Sequence, residues 1–422
     1  MHRSLFIVIL VFLALPCILK AQDTLFANLP KQWRLEDCIA YAKKNNISLA
    51  TLRLTSRSTE EDLLQSRAAV LPNLNGSVSQ SLVNRKNANT VTGNFQDQVN
   101  FSSNYGLNSS MTIYNGGYLK NDIRSKEFSV QSANLSVKET ENDLTLSITQ
   151  AFFNILLAKE IMTSFEAVLE TSSGQLEQGQ QRFDAGSIAR KDLLQLQSQV
   201  ATDQYNLVNA TNNFKLNTVG LKQLLLLPTS FDLRVSAPES FPLSYIVTSL
   251  TEAQNEALQT RPEVKNKEVQ IQLSQVELEK IKASTKPIVS LGAGMATDFS
   301  NTQNPKYFPQ LQNNFYQSLG ISVGIPIYSR RVNRTSINKS RIQLQQSQLA
   351  LYDIKTTLNQ QVEQTYINLL NAQAQLRAAE TRLKISEEIY RITNEQMKLG
   401  AVNTVELLQQ KDAYIQALQN YI

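Results

Sequence analysis

Histidine and cysteine are the scarcest reactive residues of this chain, with His2 as the single histidine and Cys17 and Cys38 as the two cysteines. Cleavage after the N-terminal segment described below would leave no histidine and one thiol. These absences exclude a Ser-His-Asp triad, a Cys-His pair, a histidine-ligated metal and an intrachain disulfide. We therefore expect no catalytic residues, no enzyme activity, no cofactor and no metal. Cys38 lies in an amphipathic helical pattern, which indicates a buried structural thiol.

Clusters of charge and long apolar segments are also missing. The formal net charge of +5 is modest for 422 residues, and no basic cluster contains interleaved aromatics, so nucleic acid is not an expected partner. The apolar run Leu5 to Leu15 follows Arg3 and precedes a small-residue cleavage site, which predicts a signal peptide over residues 1–21. An uncleaved anchor is the alternative, but the run is short for a bilayer span. Lipidation at Cys17 is the weaker alternative because the preceding residues fit a lipobox poorly.

The chain contains an internal duplication. Gly400 lies 214 residues after Gly186, and the same offset relates Asn368 to Asn154. The offset holds without a gap over about 80 residues, which favours duplication over chance. Shared heptads would explain matching leucines, but they would not explain matching glycines and asparagines.

Each repeat has the same order of elements. Short helices end at a proline stop, a β-hairpin follows, and a pair of long helices completes the repeat. The predicted boundaries are 22–248 for the first repeat (hairpin 74–114, long helices 121–227) and 249–422 for the second (hairpin 288–328, long helices 335–422).

Four segments of about ten residues alternate apolar with Ser, Asn or Gly side chains, which predicts four β-strands. This length suffices for a tilted strand to cross a membrane, although a soluble sheet packed on one face carries the same pattern. The near absence of charge on the polar faces favours the membrane. Within these segments the alternating apolar positions run over Leu74–Leu82, Tyr105–Ile113, Val289–Met295 and Leu319–Ile325.

Four strands cannot close a barrel by themselves. Two edges would stay open, and each unpaired backbone group in lipid costs several kcal/mol. If the strands span a membrane, several chains must therefore share one barrel. Between the strands, Val83–Asn104 and Asp298–Tyr316 are rich in Asn, Gln and Thr, and we expect them to be solvent-facing loops.

The long helices carry sustained heptads. Asn121 to Ala185 contains no proline and would be roughly 95 Å long at about 1.5 Å per residue. The return helix keeps the 3-4 spacing, with Asp203 and Asn217 interrupting the apolar seam. Heptads of this length favour coiled-coil packing over an ordinary bundle. The last helix is about 19 residues shorter than its counterpart in the other repeat, which indicates either a truncated chain or a missing family end.

The signal segment, the two repeats and their motifs resemble the TolC-like outer membrane efflux proteins, or outer membrane factors. The resemblance covers essentially the whole mature chain. Any one of its motifs would be weak evidence, but the set is specific. The motifs are LxxCIxYAxxNN at Leu35–Asn46, LPxL at Leu71–Leu74, IYNGG at Ile113–Gly117, and the glycine turns RFDAGSIARKDLLQ and QMKLGAVNTVELLQ.

This resemblance implies a mainly α fold with a membrane β-barrel. Three chains, each with two repeats of long coiled-coil helices plus four strands, would form a homotrimeric 12-stranded barrel and a periplasmic α-helical tunnel. The protein would sit in the outer membrane lipid of a Gram-negative bacterium. Its partners would be a periplasmic adaptor, or membrane fusion protein, and an inner-membrane transporter.

The resemblance also assigns roles to the two helix turns. Gly186 with Ser187, and Gly400 with Ala401, match the turns that contact the adaptor. Asp192 matches an acid that helps hold the periplasmic entrance closed. The alternative for that acid is a solvated carboxylate that favours the helix dipole.

Glu406 matches an acid that rings the entrance, with the same helix-dipole alternative. The chain departs from the family pattern at Val402 and Asn403, where an arginine of the gate is common, and at Gln409, where a second acid is common. The closed state could instead use Arg190 or Lys191.

Three functions remain open at this stage. The first is an exit duct of an efflux pump, which conducts substrates passively. The second is the outer membrane component of a type I protein secretion system, which uses the same fold. The third is a purely structural periplasmic coiled-coil protein. The sequence does not identify a substrate, since the predicted duct wall shows no binding pocket.

Overall fold

The computed structural model describes residues 30, 32–88, 93, 95–237, 248–302 and 306–422. The predicted signal peptide lies outside these residues. The described chain is mainly helical and contains one four-stranded sheet, which confirms the predicted mainly α fold class. In chain order the elements are α1 Leu35–Asn45, α2 Ile47–Ala68, β1 Asn75–Ala88, β2 Phe95–Tyr114, α3 Tyr118–Asp184, α4 Arg190–Leu225, α5 Leu250–Thr260, α6 Pro262–Ala283, β3 Ile288–Ser300, α7 Tyr307–Asn313, β4 Tyr316–Gly324, α8 Val332–Lys398 and α9 Thr404–Tyr421.

The chain divides into two compact units, and each long helix α3 and α8 contributes residues to both. Both of these helices contain 67 residues. Unit 1 comprises Met1–Ile47, Glu141–Val247 and Asn368–Ile422, and unit 2 comprises Ser48–Thr140 and Thr248–Ile367.

The core of unit 1 forms where α1 packs on the long helices of the first repeat. Helix α1 has acidic residues in its first turn and lysines in its last, which suits the helix dipole. Its buried face carries Cys38, which is a free cysteine. Burial raises the pKa of the Cys38 thiol to about 12. Beside it, Trp33 is buried and donates its backbone N–H to the carbonyl of Arg234 at 2.8 Å. This contact ties the segment that follows α4 to the segment that precedes α1.

In unit 2 the four strands form one antiparallel sheet in the order β1-β2-β3-β4. The prediction that Val83–Asn104 is a loop is wrong, since β1 pairs with β2 as far as Ala88 and Phe95. The two strands stay extended beyond the point where the apolar alternation weakens. Their backbone hydrogen bonds therefore continue across the polar residues. Asp298–Tyr316 is not a simple loop either, because β3 extends to Ser300 and the short helix α7 follows.

The IYNGG motif forms the turn from β2 into α3. Gly116 and Gly117 have φ values of +68° and +90°, which favour glycine. A Cβ atom on Gly116 would also lie 2.7 Å from the Cβ of Lys286 and 2.9 Å from the carbonyl oxygen of Ala283. The Asn115 side-chain oxygen accepts from the backbone N–H of Leu119 at 3.3 Å and so caps the new helix.

A partly buried ionic network joins the helices of unit 2 that flank the sheet. The Lys280 ammonium lies 3.0 Å from carboxylate oxygens of both Asp122 and Glu277. Ser66 donates a hydrogen bond to Asp122 at 2.6 Å. Partial burial opposes ionisation of Asp122, but the bonds from Ser66 and Lys280 hold the pKa of its carboxyl below the ordinary value. The network therefore connects α2, α3 and α6 on the side of the sheet where α3 begins.

Candidate functional site at the two helix turns

The two glycine turns share one backbone geometry. Gly186 and Gly400 have φ values of +75° and +74°. In the first turn, the N–H of Ser187 donates to the carbonyl of Arg182 at 2.7 Å. In the second, the N–H of Ala401 donates to the carbonyl of Gln396 at 2.9 Å. Both turns are therefore Schellman motifs, which end a helix with glycine in the left-handed region.

The outer surface of these turns is open. The glycines and the residues after them, Ser187 and Ala401, are all exposed. A Cβ atom at Gly186 or Gly400 would meet no described atom within 4 Å. The glycines are therefore required by backbone conformation and not by crowding within this chain.

The helices that leave the two turns begin differently. The Asp192 carboxylate accepts a hydrogen bond from the backbone N–H of Ala189 at 3.3 Å, so this acid stabilises the start of α4. At the second turn Asn403 is the capping residue, and its side-chain oxygen accepts from the N–H of Glu406 at 2.9 Å. The Glu406 side chain is exposed and is left available for a partner outside the chain.

Arg182 joins the two turns. Its guanidinium donates to the carbonyl oxygens of Met397 at 2.9 Å and of Lys398 at 2.8 Å. These carbonyls belong to the last turn of α8, where a cation is favoured by the helix dipole. A side chain of the first repeat therefore completes the helix end of the second repeat.

A buried ion pair lies between the helices that lead away from the turns. The Lys411 ammonium of α9 lies 2.7 Å from a carboxylate oxygen of Asp203 in α4, and both side chains are almost fully buried. The Ser172 hydroxyl of α3 hydrogen-bonds to both charged groups. The second Asp203 oxygen accepts from Gln199 at 3.0 Å. Three helices are thus connected through one desolvated carboxylate.

Two tyrosines and an amide side chain form a second cluster on the long helices. The rings of Tyr390 and Tyr414 are stacked with centroids 5.5 Å apart. The Tyr390 hydroxyl accepts from the Gln175 amide at 2.9 Å. Burial raises the pKa of Tyr390, as it does that of Tyr414, so both phenols are neutral near pH 7.

Sequence reasoning missed both Arg182 and Lys411 as bridging residues. The sequence held a signal for Lys411, because it lies four residues after the apolar Leu407 and so shares its helix face. Asp203 also interrupts the apolar seam of α4. Opposite charges in the apolar seams of two helices predict an ion pair only when it is known that the two helices pack against each other. Of the two proposed alternatives for the gate, Arg190 and Lys191, both are exposed.

Within the described parts of the chain, no group of three or more His, Cys, Asp or Glu residues could hold a metal ion. Across those same residues, no helix has the length and apolarity needed to cross a bilayer.

The described chain combines paired long helices, a four-stranded sheet and two exposed glycine turns, so it belongs to the mainly α class with one antiparallel sheet. The model of the family described as outer membrane efflux protein matches residues 38–225 and 253–422. The chain therefore belongs to the outer membrane efflux protein family.

Two curated relatives and one solved structure illustrate the similarity. The chain is 21% identical to outer membrane protein TolC of Escherichia coli K12 over 44% of this chain and 38% of that protein, so the match spans well under half of TolC. It is 20% identical to the proteases secretion protein PrtF of Dickeya chrysanthemi over 90% of this chain and 82% of that protein. The crystal structure of the Campylobacter jejuni CmeC outer membrane channel superposes with a TM-score of 0.80 at 15% identity, covering 92% of this chain and 81% of CmeC.

Proposed function

We propose that the protein is an outer membrane exit duct that passively conducts substrates received from an inner-membrane transporter and a periplasmic adaptor. The observation that carries the proposal is the four-stranded sheet, whose apolar face is exposed at Val78, Leu82, Leu319 and Ile321. A soluble protein rarely leaves so large an apolar surface uncovered. Membership of the outer membrane efflux protein family supports the same conclusion.

The sheet also supports a trimer. Strands β1 and β4 are the two ends of the sheet order in the described chain, so each has one edge without a neighbour. Open edges are not tolerated in lipid, and closure with copies of the same sheet removes them. Three copies would supply twelve strands, which lies within the range of closed membrane barrels.

The helix turns are the proposed adaptor contact. Gly186, Ser187, Gly400 and Ala401 are exposed at the ends of long helices. Glycine at these positions also lets a partner approach the backbone closely. Asp192 and Glu406 remain the proposed entrance residues. In one chain Asp192 is engaged with its own helix start, so Glu406 is the better placed of the two to act on ions or partners.

A type I secretion duct is the second candidate. It is favoured by the match to PrtF, which extends over most of both chains. The two candidates differ in cargo and not in fold. Deleting the protein in its own host should raise sensitivity to small toxic compounds if it serves efflux. It should instead stop export of a protein if it serves secretion.

The first experiment is a mass measurement of the mature protein extracted from membranes in mild detergent. We expect a trimer that resists dissociation at moderate temperature. Monomers alone would contradict the shared barrel. Extraction by salt or buffer without detergent would instead support a structural periplasmic coiled-coil protein.

A further inference from the structure

Helix α7 is packed firmly against the sheet. The hydroxyl groups of Tyr307 and Tyr105 are hydrogen-bonded at 2.7 Å, and the Tyr307 ring lies 4.5 Å from that of Phe299. The Gln310 side chain is buried, and its oxygen accepts from the backbone N–H of Ser300 at 2.9 Å. These contacts hold α7 against β2 and β3.

The strand register shows which face α7 covers. Tyr105 pairs with Thr297 and also with Val78 on the other side. Side chains that are directly paired, or two residues apart on a strand, share a face of the sheet. Tyr105 is therefore on the same face as Leu107, whose partner is Met295. Helix α7 lies on the apolar face that we assign to lipid.

Polar side chains interrupt the apolar face where α7 docks. Gln80, Ser103 and Thr297 share this face by the same register. Ser103 is fully buried, and the Thr297 hydroxyl donates to the backbone carbonyl of Leu311. Polar groups exposed to hydrocarbon are costly, so a cover over this part of the face stabilises the sheet in a membrane.

Helix α7 carries one strongly exposed aromatic side chain, Phe308, which is 79% exposed. Phe315, just after α7, is 51% exposed and lies beside Val78 and Met295 on the apolar face of the sheet. Aromatic side chains concentrate at the two boundaries of the apolar band of a membrane barrel, and the band is about 25 Å tall. With a strand tilt of about 40° and about 3.3 Å per residue, β3 rises roughly 23 Å from Ile288 to Thr297. Counted from the start of β3, α7 therefore lies about one band height along the strand, which is where an outer boundary would fall if the band begins with β3.

We propose that α7 binds the lipid of the outer leaflet at the boundary between acyl chains and head groups, with Phe308 inserted. The proposal rests on the proposed membrane function, because the sheet must first be embedded. In this proposal a helix, α7, contacts lipid on a surface that is otherwise composed of strands.

The test places tryptophan at chosen sites and measures quenching by lipids brominated near the acyl carbonyl. The protein is the full trimer in vesicles of matched brominated and unbrominated lipid. The natural Trp33 is buried in unit 1 and gives a constant background. Phe308→Trp tests α7, Leu319→Trp on the exposed apolar face of β4 is the lipid control, and Tyr352→Trp on α8 is the control outside the membrane.

We expect Phe308→Trp to lose a fraction of its emission comparable to Leu319→Trp, with Tyr352→Trp unchanged. Quenching of Leu319→Trp without quenching of Phe308→Trp would overturn the α7 proposal and leave the membrane duct intact. A blue-shifted but unquenched Phe308→Trp would mean a protein cover and would also overturn it. Failure of both to be quenched would contradict the proposed function itself. If Phe308→Trp does not assemble, Gln312→Trp, which is exposed one turn further along α7, provides the same comparison.

Discussion

The two glycine turns have the same backbone and different side-chain roles. Both end their helices in Schellman motifs at Gly186 and Gly400. The first turn also supplies Arg182, which caps the carbonyls before the second turn. The duplication has therefore kept the turn conformation, while the side chains have diverged so that the second turn depends on the first.

The starts of the return helices differ in the same way. Asp192 bonds to its own helix start, whereas Asn403 performs the capping at the second turn and releases Glu406. An acid at one position of a repeat thus has a structural use in one copy and is free for function in the other. The following predictions test this asymmetry, beginning with the largest expected effect.

Removal of the buried cation should be the most damaging change. Lys411→Met would leave the Asp203 carboxylate buried without its partner, and breaking such a pair costs about 3–5 kcal/mol of unfolding free energy. The double substitution Lys411→Met with Asp203→Leu should recover most of this loss, because an apolar pair no longer contains an unpaired charge. Thermal unfolding of the trimer in detergent measures both.

A matched control is Lys398→Met. Lys398 makes an exposed ion pair with Glu395 at 2.7 Å. Exposed pairs contribute about 0–1 kcal/mol, so melting should hardly change. Equal effects of the two lysine substitutions would show that Lys411 is not buried with Asp203.

Bulk at the turns should abolish transport without unfolding the protein. Gly400→Trp adds a side chain to a surface that is open within the chain, and it also imposes a left-handed strain of roughly 1–2 kcal/mol. Gly400→Asn separates the two effects because asparagine tolerates this conformation and is smaller. We expect Trp to abolish efflux or secretion and Asn to retain most of it, with trimer yield unchanged in both. Unchanged transport in Gly400→Trp would rule out this turn as the adaptor contact, and Gly186→Trp applies the same test to the first.

Arg182→Gln should destabilise the second turn, at Gly400, more than the first turn, at Gly186, which follows Arg182 in the chain. The substitution removes two charge-assisted hydrogen bonds to Met397 and Lys398 but leaves the backbone bond from Ser187 to the Arg182 carbonyl. Such bonds contribute about 1.5–3 kcal/mol each when buried and less at a partly exposed site. Hydrogen exchange should become faster at residues 399–401 and stay unchanged at 185–187. Faster exchange at both turns would indicate a general loss of packing.

Substitutions of Asp192 and Glu406 should have the smallest effects on stability. The two substitutions should also differ from each other. Asp192→Asn weakens a helix start and should cost about 0.3–1 kcal/mol. Glu406→Gln should leave melting unchanged. In a trimer, three carboxylates about 5–8 Å apart repel by roughly 0.5–0.8 kcal/mol per pair in water, enough to affect ions but not folding.

Single-channel recording separates the two possibilities for Glu406. An entrance ring predicts that Glu406→Gln reduces cation preference and weakens block by multivalent cations. A carboxylate facing periplasmic water predicts unchanged conductance, selectivity and block, and this result would retire the entrance role.

The class of the fold could be predicted from the order of residues alone. Duplication, heptads and strand alternation are local periodic patterns, so they can be recognised before any long-range contact is known. The glycine turns were also visible, because Gly186 and Gly400 each follow a helical pattern and match across the repeats. The single histidine, His2, lies in the predicted signal peptide, so the sequence also predicted that a cleaved chain would lack histidine-based chemistry.

Which side chains meet became known only from the folded arrangement of the helices and strands. Asp203 and Lys411 are 208 residues apart, and Arg182 and Met397 are 215 apart. No local pattern specifies such pairs, because they depend on the register between helices. The same reason explains the failed loop predictions, since continued pairing of β1 with β2 and the docking of α7 are set by contacts across strands and not by composition along them.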